Sequence, residues 1–132
     1  MDNISYSFAI PVHNGENYIA ETIDSILCQS EEKIELFVLD NGSTDKTTEI
    51  VKSYDDSRIK LINYDFVDSL SESLNRCFKI QYSSPLFSII HADDFIGKNF
   101  AEEAIKLASK NLDYGIFFTN ASRSSIQQSI RF

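Results

Sequence analysis

Residues 34–45 read IELFVLDNGSTD, an apolar run that gives way abruptly to polar and turn-forming residues. A mostly apolar run of this length is typical of a strand covered on both faces, as strands of parallel sheets are. Asn41 and Gly42 favour a turn, and Ser43 or Thr44 could cap a helix that starts directly afterwards. The stretch therefore predicts a buried strand, a tight turn and a helix in quick succession.

The same order of strand and helix recurs along the chain. Apolar residues at helical spacing, such as Ile19, Ile23 and Ile26, separate the apolar runs. We predict strands at residues 6–12, 34–39, 58–63, 86–90 and 114–119. Strands that alternate with helices predict an α/β fold, with a mostly parallel sheet of about five strands flanked by helices on both faces.

Two later helices and the C-terminal segment carry further detail. A helix over residues 69–82 would place one set of side chains on a common side, namely Leu70, Leu74, Cys77, Phe78 and Gln81. Asn99, with Glu102 three residues later, resembles a capping box that opens the next helix. The serine-rich segment 121–132 has no clear pattern, so we expect a loop or a cut end there.

The composition limits the classes of function. The chain has 132 residues, of which 42% are hydrophobic, enough for one domain with a buried core. Its formal net charge of -8 argues against nucleic acid or an anionic membrane as a partner. We expect no transmembrane segment and no signal peptide. Cys28 and Cys77 are expected to be reduced, in keeping with a cytoplasmic protein.

Three polar clusters directly follow predicted strands, at residues 13–17, 40–45 and 91–94. Ligands of open α/β sheets bind at the carboxyl ends of the strands, where the strand order reverses. With a strand order of 3-2-1-4, the first strand lies between the second and the fourth, and all three clusters share one rim. This shared placement predicts a binding site at that rim.

Asp93 and Asp94 form a pair of adjacent carboxylates after the fourth strand. Mg²⁺ and Mn²⁺ take oxygen ligands, commonly one or two carboxylates together with substrate phosphates. The alternative is a solvated acidic turn. His91 beside them could be a ligand, or a satisfied polar residue, since imidazole suits Zn²⁺ better than Mg²⁺.

Two further side chains at this rim have open alternatives. The flat ring of His13 could stack on a nucleobase, or it could be an ordinary polar surface residue. Asp40 could accept hydrogen bonds from a base or a ribose, or it could hold the turn at residues 41–43 through backbone N–H groups.

Three segments of the chain resemble, in order and spacing, the N-terminal half of the family 2 inverting glycosyltransferases with the GT-A fold. They are FAIPVHNGENYIAETIDSILCQS, ELFVLDNGSTDKTTEIVKSY and IIHADDF, within a match that spans residues 6–118. The resemblance implies a Rossmann-like GT-A architecture in which residues 1–120 bind a nucleotide-diphospho-sugar, usually a UDP-sugar. It also implies a divalent cation, Mn²⁺ or Mg²⁺, beside the donor.

The resemblance assigns the donor-binding residues as follows. Pro11, His13 and Asn14 match the family's first donor-binding loop, with His13 where a tyrosine commonly lies against the base. Asp40 and Asn41 match an acidic pair whose second member usually contacts uracil, so Asn41 keeps a hydrogen-bonding group without the charge.

Asp93 and Asp94 match the last two acids of the family's DADD pattern, which reach the ribose and the metal. We therefore assign the metal to Asp94 together with Asp93. His91 replaces the first acid of that pattern. In the segment SLSESLNRC, Ser69 and Leu74 replace the glycine and the arginine of the family's GLSAARN.

The family's activity is the transfer of a sugar, of hexosyltransferase type, from the donor to an acceptor hydroxyl with inversion, as in polysaccharide biosynthesis. The acceptor would be a sugar or a lipid-linked glycan. The family's acceptor-binding half and its general base are absent from these residues, so we do not expect catalysis by this chain alone. The face left without that half could support a homodimer. The full-length enzyme is expected in the cytoplasm, peripheral to the membrane.

Two alternatives stay open. The chain could be a catalytically inactive relic of the same fold, nucleotide-sugar-binding or purely structural. It could also be a receiver-type phosphoacceptor domain, although that fold needs its acids after the first and third strands and a lysine after the fifth.

Overall fold

A computed structural model describes residues 4–111, 113, 122–125 and 128–131. Strands and helices alternate through most of this range, in the order β1, α1, β2, α2, β3, α3, β4 and α4. The strands are β1 Tyr6–Val12, β2 Ile34–Asn41, β3 Ile59–Tyr64 and β4 Phe87–Ile89. The helices are α1 Ile19–Leu27, α2 Thr47–Ser53, α3 Leu70–Phe78 and α4 Phe100–Lys110.

The four strands form one parallel sheet in the order β3-β2-β1-β4. This confirms the predicted order 3-2-1-4 and the α/β class. Val12 lies opposite Asp40, and Asp40 lies opposite Asn63, so β1, β2 and β3 end at nearly the same level. The fifth strand predicted at residues 114–119 lies outside the described residues.

The core lies on both faces of the sheet because the side chains of a strand alternate between the two. Phe8, Ile10, Leu36 and Val38 are fully buried on the face that carries α1, α2 and α4. Ala9, Phe37 and Leu39 are buried on the other face, where they pack with Cys77 of α3. Burial of each large apolar side chain contributes about 1.5–3 kcal/mol, so this double-sided packing fixes the strand ends in place.

The prediction for α3 was wrong in its length, and the predicted common side is only partly buried. The helix ends at Phe78, and Leu70 and Phe78 are 66% and 64% exposed. Cys77, on the same side, is fully buried. The chain turns after Phe78 because Tyr82 packs edge-on against Phe37 and donates its hydroxyl to the carbonyl of Cys77 (2.8 Å). This tertiary contact outweighs the helical periodicity.

The predicted helix caps were also wrong in detail. Helix α2 starts at Thr47, and neither Ser43 nor Thr44 caps it. Asn99 is the residue before α4, but its side chain makes no capping bond. Glu102 instead accepts a hydrogen bond from Ser30 Oγ (2.9 Å), so a contact with another element replaces the capping box.

The C-terminal segment contains two short strands, β5 Ser122–Ser125 and β6 Gln128–Arg131, which pair antiparallel. The expectation of a loop was therefore wrong for these residues, and the alternative of a cut end stays a prediction. Antiparallel strands pair through their backbone N–H and carbonyl groups, and the apolar pattern on which the prediction was based does not report such pairing. None of the helices in the described part of the chain combines the length and apolar composition needed to cross a bilayer.

Candidate functional site

A pocket of about 250 Å³ lies at the carboxyl end of the sheet, where β1, β2 and β4 end. One side of it consists of strand-end residues, namely Pro11, Val12, His13, Asn41 and His91. The other side consists of the loop after β3 and the start of α3, residues 66–70 and Ser73. The three predicted clusters therefore meet at one rim.

Another cavity, of about 410 Å³, lies at the opposite edge of the sheet, where the strands begin. Several of the charged groups at this cavity are already paired. Lys60 Nζ lies 2.7 Å from Glu35 Oε2, and Arg58 pairs with Asp56 at 2.7 Å. Burial would raise the pKa of Glu35, but hydrogen bonds from Lys60, Ser83 and Ser7 outweigh it and lower the pKa. The pairing of Glu35, Lys60 and Arg58 makes this cavity a weaker candidate for ligand binding than the pocket at the carboxyl edge.

His13 lines the pocket as a fixed, flat ring. Its Nδ1–H donates to the carbonyl of Asn41 (2.9 Å), and its Nε2 faces Asn14 Nδ2 (3.2 Å). The amide of Asn14 can be oriented in only one way, because its Oδ1 accepts the N–H of Thr44 (2.8 Å). Nε2 is therefore the acceptor, which sets the tautomer of the ring. Phe66 packs against His13 with 4.5 Å between the ring centroids.

The loops after β1 and β2 are joined to each other by hydrogen bonds. Three consecutive N–H groups of the first loop donate to side chains of the second: Asn14 to Ser43 Oγ (2.8 Å), Gly15 to Thr47 Oγ1 (2.8 Å) and Glu16 to Asp45 Oδ2 (3.0 Å). Asn14 has a φ of 51°, a left-handed conformation that asparagine tolerates. Asn14 does not line the pocket, and its side chain holds the two loops together.

Asp45 lies at the centre of the hydrogen bonds that join these two loops. Its carboxylate accepts hydrogen bonds from the hydroxyl and the backbone N–H of Thr47 and from the N–H of Glu16. Burial would raise the pKa of Asp45, but these hydrogen bonds outweigh it and lower the pKa below its ordinary value. The charged form of Asp45 therefore stabilises the joined loops.

Asp40 is buried beneath the turn, with 3% of its surface exposed. Its Oδ2 accepts the N–H of Ser43 (3.1 Å), which confirms the turn-holding alternative. Among the described residues, its Oδ1 is the one buried side-chain nitrogen or oxygen without a hydrogen-bond partner. Asp40 does not line the pocket, so its contact with a base or ribose stays a prediction.

Asn41 lines the pocket but already has partners for most of its amide. Its Nδ2 donates to the carbonyl of Val67 (3.0 Å), and its Oδ1 accepts from the N–H of Val67 (3.3 Å) and from Arg76 Nη1 (2.5 Å). Phe66, Val67 and Arg76 were not predicted as site residues. The sequence signal that could have identified this loop is the aromatic residue Phe66 in the polar segment DFVDS, which follows β3.

Asp93 and Asp94 lie after β4 with both side chains exposed. Backbone groups anchor their loop, since Thr22 Oγ1 donates to the carbonyl of Ala92 (2.7 Å) and Asp94 N–H to that of His91 (3.0 Å). Neither carboxylate has a hydrogen-bond or ion-pair partner among the described residues. The exposed His91 lines the pocket.

The donor set at Asp93 and Asp94 fits a hard divalent cation that a ligand helps to bind. Within the described residues no three His, Cys, Asp or Glu side chains form a metal-binding group. Two carboxylates alone match Mg²⁺ or Mn²⁺, which keep waters or substrate phosphates in the rest of their coordination sphere. Asp93 and Asp94 therefore do not form a metal centre in which the protein supplies every ligand.

Comparison with known proteins gives the family. The family model described as glycosyl transferase family 2 matches residues 7–130. The chain is 33% identical, over 112 residues, to the UDP-Glc:alpha-D-GlcNAc-diphosphoundecaprenol beta-1,3-glucosyltransferase WfgD of Escherichia coli, a match that covers 84% of this chain and 44% of that protein.

Two solved structures share the fold. Residues 1–349 of S. aureus TarS, in complex with UDP-GlcNAc, superpose with a TM-score of 0.74 at 25% identity, over 82% of this chain and 32% of that one. The mannosyltransferase PcManGT from Pyrobaculum calidifontis, in complex with GDP-Man and Mn²⁺, superposes with a TM-score of 0.67 at 23% identity, over 78% of this chain and 32% of that one.

The chain spans about a third of the length of three further curated relatives, 32–33% in each case. All three are described as glycosyltransferases. The parallel sheet with strand order 3-2-1-4 and flanking helices agrees with the GT-A architecture of the solved relatives. The chain belongs to glycosyl transferase family 2 and has its Rossmann-like GT-A fold.

Proposed function

We propose that this chain binds the nucleoside diphosphate part of a nucleotide-sugar donor, with a UDP-sugar as the first candidate. The observation that carries the proposal is the pocket of about 250 Å³ at which the ends of β1, β2 and β4 meet. TarS is described with UDP-GlcNAc and WfgD with UDP-Glc, which supports a uridine nucleotide.

His13 and Phe66 would receive the base. The two rings are in contact, and Phe66 is 53% exposed at the mouth of the pocket. An aromatic surface of this kind stacks on any nucleobase, with a contribution of about 1–3 kcal/mol per base. Asn41 and Pro11 line the same pocket, and Asp40 would reach the ribose or base only after the turn above it shifts.

Asp93 and Asp94 would hold Mn²⁺ or Mg²⁺, with Asp94 as the main ligand. When bound, such a cation neutralises a diphosphate and stabilises it as a leaving group. Neither carboxylate has a partner in the part of the chain that the structure describes, which is consistent with this role. The Mn²⁺ in the PcManGT complex agrees with this choice of metal.

The complete enzyme would transfer the sugar in one displacement, with inversion, to a hydroxyl of an acceptor sugar or lipid-linked glycan. WfgD, whose description includes a diphosphoundecaprenol acceptor, supports the lipid-linked type. The general base and the acceptor site would come from outside the donor half, residues 1–120. We place this enzyme in the cytoplasm at the membrane surface. Thiols stay reduced in the cytoplasm, in keeping with the free Cys28 and Cys77.

Titration calorimetry with UDP and with GDP, each with and without Mn²⁺, tests the proposal. We expect Mn²⁺-dependent binding with a millimolar or lower Kd, equivalent to about -4 kcal/mol or better. Asp94→Asn should weaken the Mn²⁺-dependent part, while Asp113→Asn, at another exposed aspartate, serves as the charge-matched control. Absence of heat in every condition with the parent chain would refute donor binding.

One observation favours the relic alternative, namely that Leu74 stands at the family's arginine position, so α3 lacks that charge there. Nucleotide binding that is equal in the parent and in Asp94→Asn would favour the relic alternative.

Homodimerisation is a separate proposal, supported by the exposed aromatic contact between Phe78 and Phe87. A clean monomer in gel filtration would argue against the dimer.

A further inference from the structure

The loop between β3 and α3, residues 65–69, forms one wall of the pocket without belonging to the sheet. Among the described residues, Val67 is the one residue of this loop whose backbone bonds to β2. Its N–H and its carbonyl both bond to the side-chain amide of Asn41. The amide thus acts as a substitute strand partner. From the side of the sheet, the wall is held by one side chain at the end of β2.

Arg76 of α3 fixes this arrangement from the other side. Its Nη1 donates to Asn41 Oδ1 (2.5 Å) and to the carbonyl of Asp65 (3.0 Å). Its guanidinium lies 4.5 Å from the centroid of the Tyr64 ring, at the end of β3. A charged donor with a planar face bonds and stacks at the same time, which a lysine cannot reproduce.

The wall lies close to the turn after β2 because Gly42 leaves room for it. A Cβ atom at Gly42 would lie 2.7 Å from the backbone nitrogen of Phe66. The approach brings the Phe66 ring to 4.5 Å from His13, between centroids. The position of Phe66 in the pocket therefore depends on the bonds that Asn41 and Arg76 make to its neighbours.

We propose that Arg76 is a positioning residue for the nucleobase. It orients the Asn41 amide and the loop at residues 65–69, so that Phe66 stays against His13 and completes the surface on which the base lies. The inference rests on the proposed function, since it concerns the same pocket. The site would then have two parts. Arg76 organises the nucleoside part, and it does not contact the diphosphate part at Asp93 and Asp94.

The bonds also limit what Asn41 can offer to a ligand. An amide oxygen accepts two hydrogen bonds, and both are taken, by Val67 and by Arg76. The nitrogen has two hydrogens, of which one goes to the carbonyl of Val67. Asn41 can therefore donate one hydrogen bond to a base but cannot accept one, unlike the carboxylate that the family commonly has at this position.

The test compares two ligands on matched variants of the 132-residue chain. The variants are Arg76→Met, which keeps an unbranched stem, Arg76→Lys, which keeps the charge, and Lys79→Met, which removes an exposed charge from the end of the same helix. The ligands are UDP, which has a base, and inorganic pyrophosphate, which has none, both with Mn²⁺. Kd values come from calorimetry.

We expect Arg76→Met to weaken UDP binding about tenfold, roughly the loss of one charged hydrogen bond, and to change pyrophosphate binding less than twofold. Arg76→Lys should fall between the parent and Arg76→Met, and Lys79→Met should match the parent. Unchanged UDP binding in Arg76→Met, or an equal loss for both ligands, would overturn the positioning role.

Two further measurements keep the test decisive. Amide hydrogen exchange at Val67 should speed up in Arg76→Met without any ligand, and unchanged exchange overturns the proposal even if the parent binds no nucleotide. Failure of the parent to bind either ligand would count against the proposed function alone. If Arg76→Met does not fold, Arg76→Lys combined with Phe66→Leu should weaken UDP binding by less than the sum of the two single effects, and full additivity would contradict the inference.

Discussion

The loops after β1 and β2 differ sharply from the loop after β4, although all three end at the same rim. The first two are tied to each other by side chains, with Asn14, Asp45 and Thr47 each making two or more hydrogen bonds. The third presents Asp93 and Asp94 to solvent, without a partner for either carboxylate among the described residues.

The contrast separates a preformed part of the site from a part that a ligand must complete. Polar side chains of the first two loops bond to the protein itself, and they keep His13 and the turn at residues 41–43 in a fixed geometry. Adjacent carboxylates that repel each other are stabilised when a cation lies between them and phosphate oxygens. Substitutions should therefore affect stability at the first two loops and ligand binding at the third.

Gly42→Ala should break the preformed part most severely. The residue has a φ of 68°, and an added Cβ would lie 2.7 Å from the backbone nitrogen of Phe66. Backbone strain and the clash together should lower the free energy of unfolding by about 3 kcal/mol, measured by urea denaturation. Gly97→Ala is the control, because a Cβ there would meet no atom within 4 Å. Equal effects of the two substitutions would contradict the close approach of the two loops.

Thr47→Val should cost about 1–2 kcal/mol in the free energy of unfolding. The hydroxyl of Thr47 is fully buried, accepts the N–H of Gly15 and donates to Asp45, so an isosteric valine leaves buried polar groups unpaired. Thr44→Val, whose exposed hydroxyl makes one long contact of 3.4 Å with Asn14, should cost less than about 0.5 kcal/mol. Similar losses in both variants would argue against the joint between the loops.

Asp45 should make the stability of the joined loops sensitive to acid. Its pKa is lowered in the folded chain, so its contribution is present above the unfolded value of about 3.9 and is lost as the pH falls through the lower, folded value. Urea denaturation between about pH 6 and pH 3 should show a steeper decline for the parent than for Asp45→Asn. Parallel curves would show that Asp45 is not stabilised in its charged form.

Asp93→Asn and Asp94→Asn should change stability least, by about 0.5 kcal/mol or less, because both side chains are exposed. The same two variants should lose Mn²⁺-dependent UDP binding. A large loss of stability on either substitution would mean that the carboxylates have a structural role, and the contrast between the loops would not hold.

The sequence predicted the sheet and the rim well because both depend on local patterns. Continuous apolar runs such as residues 34–39 indicate buried parallel strands, and polar residues that follow such runs must lie at their carboxyl ends. The placement of His13 and His91 on one pocket follows directly from these two rules and the strand order.

The wall of the pocket could not be predicted in the same way, because its contacts join residues far apart in sequence. Arg76 reaches Asn41 across 35 positions, and the bonds of Asn41 to Val67 span 26 positions. No periodicity encodes such contacts. The same limit explains why the prediction of Ser43 as a helix cap was wrong. Its hydroxyl accepts the N–H of Asn14 in the neighbouring loop.

Paramagnetic broadening by Mn²⁺ tests the central claim most directly, since it locates the metal on the chain. In amide spectra recorded with UDP, Mn²⁺ in place of Mg²⁺ should broaden the signals of residues 91–94 and of His13, and leave sharp those of Ile34 and Ser83 at the opposite edge of the sheet. The broadening should disappear in Asp94→Asn. Broadening centred on the opposite edge, or unchanged in Asp94→Asn, would contradict a donor site built from the ends of β1, β2 and β4.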